Sequence, residues 1–420
     1  MAEQAERDLI IFSNSPGEVS GWVRPFVDTL VSSGKAGLFR TFLIIHPCQF
    51  GTGREPFVAA SFPGIDHIVP PSRYLAYLLT GSWRRRFGVR EEGVIISLGG
   101  DLRHPVIFNR RMRLGYRLYA YSDNPNVPGK EGNYERIYVR SGTIRDRYIR
   151  KGVQPDRVVV TGDLVYSSVH ALKSRGEARH LLGLSEGDTA LAVLPGSRDF
   201  EMLNLLPVFL KVLKDAGEKF GFLKYFLLKS PYVSYDLIRR AVGPDSGIEG
   251  VERISGELRW ADAEKVWYVD FGSRSMKVLE EGLEYWGSAF DLALTVAGTN
   301  TIQLAYRGVP LLVVTPLNKP EIIPFNGVLA LLKWIPLIGK PVLRRAFLRY
   351  SRRFKYSALP NIYEDEEVVP ELFGVIRTED ITNRLFRLID SDEPAVIKKR
   401  LERFRLESDP AETIVSSVFS

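Results

Sequence analysis

Residues 191–198 read Leu191, Ala192, Val193, Leu194, Pro195, Gly196, Ser197, Arg198. The apolar run ending at Leu194 has the pattern of a strand buried on both faces. The turn Pro195-Gly196-Ser197 follows, and then apolar residues recur at helical spacing: Phe200, Leu203, Leu206, Phe209, Leu210 and Leu213. A strand, a glycine turn and a helix in this order put backbone N–H groups and a helix N-terminus at the carboxyl edge of a sheet, which suits a phosphate. Gly196 lets the backbone approach closely, Ser197 offers a hydroxyl, and Arg198 can pair with an oxyanion. A plainer reading makes the turn an ordinary strand-to-helix connection capped by Ser197.

The same pattern returns at residues 292–303. Leu292, Ala293, Leu294, Thr295 and Val296 lead into Ala297, Gly298 and Thr299, and Asn300, Thr301 and Gln303 open the next helix. Two such turns in one domain can close around a diphosphate. Gln303 can reach a ribose hydroxyl, or it is simply a solvated helix residue. A third element is Ser357, Ala358, Leu359, Pro360 and Asn361, just ahead of the acidic run at 364–367. Pro360 stiffens the turn and Asn361 offers both donor and acceptor, although most Pro-Asn pairs are turns and nothing more.

Working outward, short apolar runs alternate with helix-period segments along the chain. Strands are expected at 9–13, 41–46, 94–98, 117–121, 136–139 and 157–161, and in a second series at 190–194, 224–228, 266–270, 292–296 and 310–315. Near-continuous apolar runs separated by helical patterns predict an α/β protein with doubly wound parallel sheets. The two series break near Gly162-Asp163. That predicts a first domain over 1–165 and a second over 166–395 with a basic amphipathic insertion at 319–356. Helices at 396–420 are expected to pack back on the first domain.

Composition is that of a globular protein: 45% apolar and 25% charged over 420 residues. The lone cysteine, Cys48, excludes an internal disulfide framework and argues against a thiolate zinc site. A reducing, cytoplasmic setting is expected. The N-terminus lacks the basic start and apolar run of a secretory signal, and no stretch reads as a transmembrane helix.

The first domain offers three candidate catalytic groups. Asp101, the first candidate for a general base, follows a predicted strand and the flexible pair Gly99-Gly100, which places it at a carboxyl edge. His104, three residues on, is the second candidate for the base, and Glu18 is expected to bind a hydroxyl or to support the base. Glu18 lies in the loop Pro16-Gly17-Glu18-Val19-Ser20-Gly21 after the first strand, where two glycines point to close approach by a ligand. The plainer readings make Asp101 a helix cap, His104 a surface residue and Glu18 a carboxylate that complements a helix dipole.

The formal charge of +7 comes from 57 basic and 50 acidic residues, so location matters more than total. No acidic residue occurs from 322 to 363, where Lys333, Arg344, Arg345 and Arg349 mix with Trp334, Phe347 and many aliphatics. Pro336 and Pro341 break that stretch, which is too short to span a bilayer. A smaller cluster runs from Tyr74 to Phe87 and includes Leu79, Trp83, Arg84, Arg85 and Arg86. Segments 325–355 and 74–87 read as contacts with an anionic membrane surface, against the alternative of buried apolar faces with solvated charges. No zinc finger, helix-turn-helix or RNA-binding signature accompanies them, so nucleic acid is not an expected partner.

Residues 194–198, 297–301 and 359–361, with Val369, Pro370, Glu371 and Leu372, together resemble the signature segments of lipid-A-disaccharide synthase, in that family's order. Glu201 and Met202 stand where the family has an acidic residue and helix after its phosphate turn. Gly17-Glu18-Val19-Ser20-Gly21 resembles the family's opening turn, and Gly99-Gly100-Asp101 falls where it keeps a catalytic aspartate. This sequence departs from the pattern at Trp22, at Gln303, at Asp163 (where the family has a Gly-His pair) and in a longer segment before Leu359.

The resemblance implies a GT-B fold, with two Rossmann-like domains facing across a cleft. It implies an inverting glycosyltransferase, with no tightly bound metal or other cofactor, whose UDP-2,3-diacylglucosamine donor is a substrate held by the second domain. The acceptor is a 2,3-diacylglucosamine 1-phosphate and the product a β-1,6 disaccharide. A cytoplasmic enzyme peripheral on the inner face of the membrane is implied, and a homodimer with exchanged C-terminal segments. The alternatives are a related transferase acting on another membrane lipid or polyprenyl acceptor, a non-catalytic nucleotide-sugar or lipid binder, and a two-domain UDP-sugar epimerase.

Overall fold

The apolar runs become strands because their side chains serve two cores at once. In the first strand of the computed structural model, β1 (Arg7–Ser13), Leu9 and Ile11 belong to one cluster while Ile10 and Phe12 belong to another. The same alternation sends Leu43 and Ile45 one way and Phe42 and Ile44 the other. Strands buried on both faces cannot alternate apolar with polar, which explains their near-continuous hydrophobicity. The structure describes residues 7–124, 133–170, 172–248, 250–318 and 355–419.

The chain divides into two units, Met1–Ser168 with Leu406–Ser420, and Val169–Arg405. Unit 1 contains β1, β2 (Phe39–Ile45), β3 (His67–Val69), β4 (Glu92–Leu98), β5 (Arg117–Tyr121), β6 (Arg136–Val139) and β7 (Val158–Val160). They form one sheet in the order β3-β2-β1-β4-β5-β6-β7, parallel throughout. Leu9 pairs with Thr41 on one side and Val94 on the other. The winding direction reverses between β1 and β4, and a ligand crevice opens outside the carboxyl ends of strands at such a point.

Helix Pro410–Val418 closes unit 1. Its Ala411, Ile414, Val415 and Val418 join Phe26, Val27 and Leu30 of helix Arg24–Ser32 in the core. The return to unit 1 begins at Leu406, later than the expected 396. Helix Glu393–Leu401 and the residues after it stay with unit 2, where Ile397, Leu401 and Phe404 are buried and Arg403 pairs with Glu364 and Glu366.

Unit 2 contains β8 (Thr189–Leu194), β9 (Leu223–Leu228), β10 (Glu257–Ala261), β11 (Val266–Phe271), β12 (Arg274–Leu279), β13 (Leu292–Val296), β14 (Leu311–Pro316) and β15 (Glu371–Gly374). The sheet order is β10-β11-β12-β9-β8-β13-β14-β15. From β12 to β15 all neighbours are parallel, while β10 and β11 add an antiparallel edge. The reversal falls between β8 and β13, whose carboxyl ends carry the turns at 195–197 and 297–299.

Among the described residues, no helix is long and apolar enough to cross a membrane. The basic insertion expected at 319–356 lies, through residue 354, outside the described residues.

Candidate functional site

The carboxyl ends of β1, β2 and β4 bring together the loop after each strand. Glu18 comes from the short helix Pro16–Glu18 and reaches under the turn after β4, where Gly100 N donates to its Oε1 at 3.3 Å. Burial pushes the Glu18 carboxyl up to about 7, and contacts from Gly100 and Ser15 offset only part of this. A Cβ at Gly99 would lie 2.5 Å from Glu18 Cδ, and one at Gly100 would lie 2.1 Å from His46 Nε2. Both residues have positive φ, 110° and 74°, so glycine is required twice over.

Asp101 and His104 arrive at the same edge in different states. The Asp101 carboxylate accepts from Arg103 N and from Arg103 Nε, each at 2.9 Å, and this guanidinium holds it below its usual range. It is an ionised group of low basicity. His104 shares a hydrogen bond of 2.7 Å between its Nδ1 and Tyr74 Oη, and burial lowers its pKa. His104 is therefore no free surface residue. His46, which the sequence reading passed over, stacks on it with ring centroids 4.4 Å apart.

Four buried polar atoms here have no hydrogen-bond partner among the described residues: Ser13 Oγ, Asn14 Oδ1, Glu18 Oε2 and His46 Nε2. Native interiors rarely leave such atoms unpaired, and several at one switch point can be satisfied by a polar ligand or by water.

Farther along the same edge, Asp123 follows β5, Arg140 follows β6 and Asp163 follows β7. Arg140 Nε lies 3.3 Å from Asp123 Oδ2, and Asp163 accepts from Val165 N at 3.0 Å. Burial, and then the charge of Asp163, hold the Asp123 carboxyl above its usual range. Sequence reasoning missed Asp123 and Arg140, which no motif marks. Trp22, one of the departures, packs edge-on against Tyr121.

In unit 2 the turn after β8 has a different internal logic from the one expected. Glu201 reaches back so that its Oε2 accepts from Ser197 N at 2.8 Å and Arg198 N at 3.1 Å, while Arg198 Nη1 donates to its Oε1 at 2.8 Å. The N-cap of helix Asp199–Lys219 is Arg198, not Ser197. Two N–H groups offered to a phosphate are thus already engaged. Gly196, at φ 117°, has no Cβ because one would lie 2.3 Å from Glu201 Oε2. Its smallness serves the capping carboxylate.

The adjoining turn after β13 opens helix Thr299–Tyr306 at Gly298. Thr301 Oγ1 donates to Gly298 O at 2.8 Å and accepts from Leu359 N at 3.1 Å, and Asn300 Nδ2 donates to Val296 O at 3.2 Å and to Thr295 Oγ1. Both side chains shape the turn. Thr299 and Gln303 are half-buried. Asn361 does not fit a ligand contact. It is 0% exposed, its Oδ1 accepts from Val368 N and Val369 N at 2.8 and 2.9 Å, and its Nδ2 donates to Val369 O at 2.8 Å. It fastens the turn at 359–361 to the segment entering β15.

The 74–87 cluster splits in two. Tyr74 and Trp83 are fully buried, and Trp83 packs on Phe42, Phe87 and Phe108, so they belong to the core and not to a surface. Leu75 and Leu79 of helix Pro71–Thr80 are exposed, Leu79 by 80%, as are Arg84, Arg85 and Arg86.

No protein-family model matches the chain. Curated proteins named lipid-A-disaccharide synthase do. The one from Syntrophus aciditrophicus is 30% identical over 255 residues, 59% of this chain and 52% of its own. The one from Vibrio campbellii is 23% identical over 244 residues, 57% and 51% of the two chains. The chain spans about half the length of the curated relatives it matches.

Among solved structures, a UDP-GlcNAc 2-epimerase from Neisseria meningitidis bound to UDP-GlcNAc aligns with a TM-score of 0.53 at 10% identity, covering 98% of this chain and 99% of that one. A co-structure of Staphylococcus aureus MnaA with UDP gives 0.52 at 11%, covering 98% and 96%. With the two doubly wound sheets, these likenesses define a two-domain GT-B fold. Within that fold, the curated relatives uphold the resemblance to lipid-A-disaccharide synthase first drawn from the glycine turns.

Proposed function

We propose that the chain is an inverting UDP-sugar glycosyltransferase. It transfers a 2,3-diacylglucosaminyl unit from its UDP donor to 2,3-diacylglucosamine 1-phosphate and forms the β-1,6 disaccharide. The names of the curated relatives support this reading. The observation that carries it is the Glu18 carboxyl, buried at the switch point of unit 1 with one oxygen unpartnered and a pKa of about 7. A base poised near neutrality is what deprotonation of a sugar hydroxyl requires.

In this reading the acceptor 6-hydroxyl oxygen attacks the anomeric carbon of the donor. Its proton passes to Glu18. The bond from that carbon to the β-phosphate oxygen breaks, and the electron pair leaves with UDP. Asp101 stays ionised in its pairing with Arg103 and serves electrostatically, not as the base, and the buried Tyr74 positions the His104 ring at the acceptor side. Unit 2 holds the diphosphate at the turn after β13, with Arg198 as counter-charge, and no tightly bound metal is required.

A second reading, transfer to another membrane lipid or a polyprenyl acceptor, is favoured by Asp163. This carboxylate is 1% exposed, stands where the resembled family has a histidine, and acts on Asp123. In either reading the acceptor is drawn from a membrane, and Leu75 and Leu79 with Arg84, Arg85 and Arg86 provide an apolar and basic surface for it. Replacing both leucines by serine is expected to lower co-sedimentation with anionic vesicles severalfold; unchanged sedimentation removes this surface from the reading.

The deciding experiment is UDP release by the purified protein given UDP-2,3-diacylglucosamine and 2,3-diacylglucosamine 1-phosphate in detergent micelles. Release that depends on acceptor, with a disaccharide product, establishes the first reading. UDP binding without turnover there, but with turnover on a polyprenyl phosphate, establishes the second.

A further inference from the structure

His46 and Asn14 are left without a role by the chemistry above, yet both carry buried atoms without partners at its centre. His46 N donates to Ser13 O at 3.0 Å, which extends the pairing of β2 with β1 by one residue and fixes the ring beside the end of β1. The ring is only 2% exposed. One face stacks on His104 with an interplanar angle of 22°. Nδ1 lies 3.4 Å from the Pro47 carbonyl oxygen, which can only accept. The Gly99 backbone also engages the ring, so Nε2 meets a hydroxyl as donor or as acceptor according to the tautomer. Burial, and then the neighbouring His104, depress the His46 pKa to about 4, so the ring is neutral in the physiological range.

Nε2 is aimed at one particular place. A Cβ on Gly100 would sit 2.1 Å from Nε2 and 2.8 Å from Asn14 Nδ2, so both side chains face the space over that glycine. Glu18 lies under the adjacent Gly99. An imidazole nitrogen, an amide and a carboxyl around a turn stripped of side chains form a polar recess of the kind that binds sugar hydroxyls.

We infer that His46 Nε2 and the Asn14 side chain form a hydroxyl-reading subsite that recognises the acceptor hydroxyl next to the one that reacts. This rests on the proposed transfer to a 2,3-diacylglucosamine 1-phosphate. Such a molecule has free hydroxyls only at C4 and C6. With the 6-hydroxyl given to Glu18, the 4-hydroxyl falls to His46 Nε2 and the Asn14 side chain, which bond it between them. The two residues determine specificity and take no proton from the reacting oxygen.

The test compares the acceptor with its 4-deoxy analogue. Wild-type protein is expected to lose about tenfold in kcat/KM with the analogue, whereas His46→Ala uses both acceptors equally and no better than wild type uses the analogue. Asn14→Ala is expected to behave likewise, and His46→Gln, which keeps an acceptor atom, is expected to restore part of the discrimination. Undiminished discrimination in His46→Ala overturns the proposal.

A second measurement needs neither a variant nor turnover. In nitrogen-15 spectra of wild-type imidazoles, glucosamine 1-phosphate is expected to shift the His46 Nε2 resonance, and its 4-deoxy form is not. Equal shifts, or none, from both probes overturn the subsite. Absence of turnover alongside a selective shift overturns the proposed reaction and leaves the subsite standing.

Discussion

A carboxyl group taken out of water prefers to keep its proton, and Glu18 has few hydrogen bonds to set against that preference. Its folded pKa of about 7 lies above the ordinary carboxyl value of 4.5, so the folded protein binds this proton more tightly than the unfolded chain. The linked stability is full below pH 4.5 and is lost as pH rises through 7. Glu18→Gln mimics the protonated carboxyl permanently. It is expected to melt above wild type at pH 8, by up to about 3 kcal/mol of stability, with the gain gone below pH 4.5; calorimetry across that range checks it. Sugar transfer by the same variant is expected to fall about 10²- to 10⁴-fold. Glu18, Asp101 and His104 were legible in the sequence because glycines flank the loops that carry them. His46 was not, because a single histidine before Pro47 has no pattern, and only the parallel pairing of β1, β2 and β4 brings it against His104.

At the scale of elements, the carboxamide of Asn361 and the carboxylate of Glu201 each tie down a turn of unit 2. Asn361 makes three buried hydrogen bonds that tie helix Leu359–Glu364 to the approach to β15. Asn361→Ala is expected to cost about 1–3 kcal/mol in urea unfolding, with UDP affinity unchanged. Arg198→Ala removes one hydrogen bond to a half-buried Glu201 and, in the proposed function, the counter-charge to the diphosphate. It is expected to weaken UDP binding roughly tenfold by titration calorimetry, in line with a charge-assisted hydrogen bond of about 1.5–3 kcal/mol.

Most of the strands that sequence periodicity exposed are doubly buried, with β7 and β11 the partly exposed exceptions. Those it hid are β3, of three residues, the antiparallel hairpin strands β10 and β12, and β15. The residues of β10 are mostly exposed and include Glu257 and Arg259, so the strand lacks the apolar run that marks a buried neighbour. The turn at 195–198 was placed correctly but its bonding was not. A glutamate one helical turn downstream reads equally as a ligand contact or as a cap, and geometry alone decides between them.

At the scale of the molecule, each unit has its own sheet and its own core, so a single cooperative melting event is not required. Heating is expected to give two calorimetric transitions. UDP at 100 times its Kd is expected to raise the one belonging to unit 2, by about 2.7 kcal/mol of stabilisation, and to leave the other in place. A shift of both transitions together counts against donor binding by unit 2 alone.

The helix Pro410–Val418 sits in the core of unit 1 although all of unit 2 separates it from the rest of that unit along the chain. On the ribosome, therefore, the first unit begun is not the first completed. Phe26, Val27 and Leu30 wait without their cover until the whole of unit 2 has been translated, and a nascent chain in that condition presents an apolar face for which a holdase chaperone is the natural temporary cover.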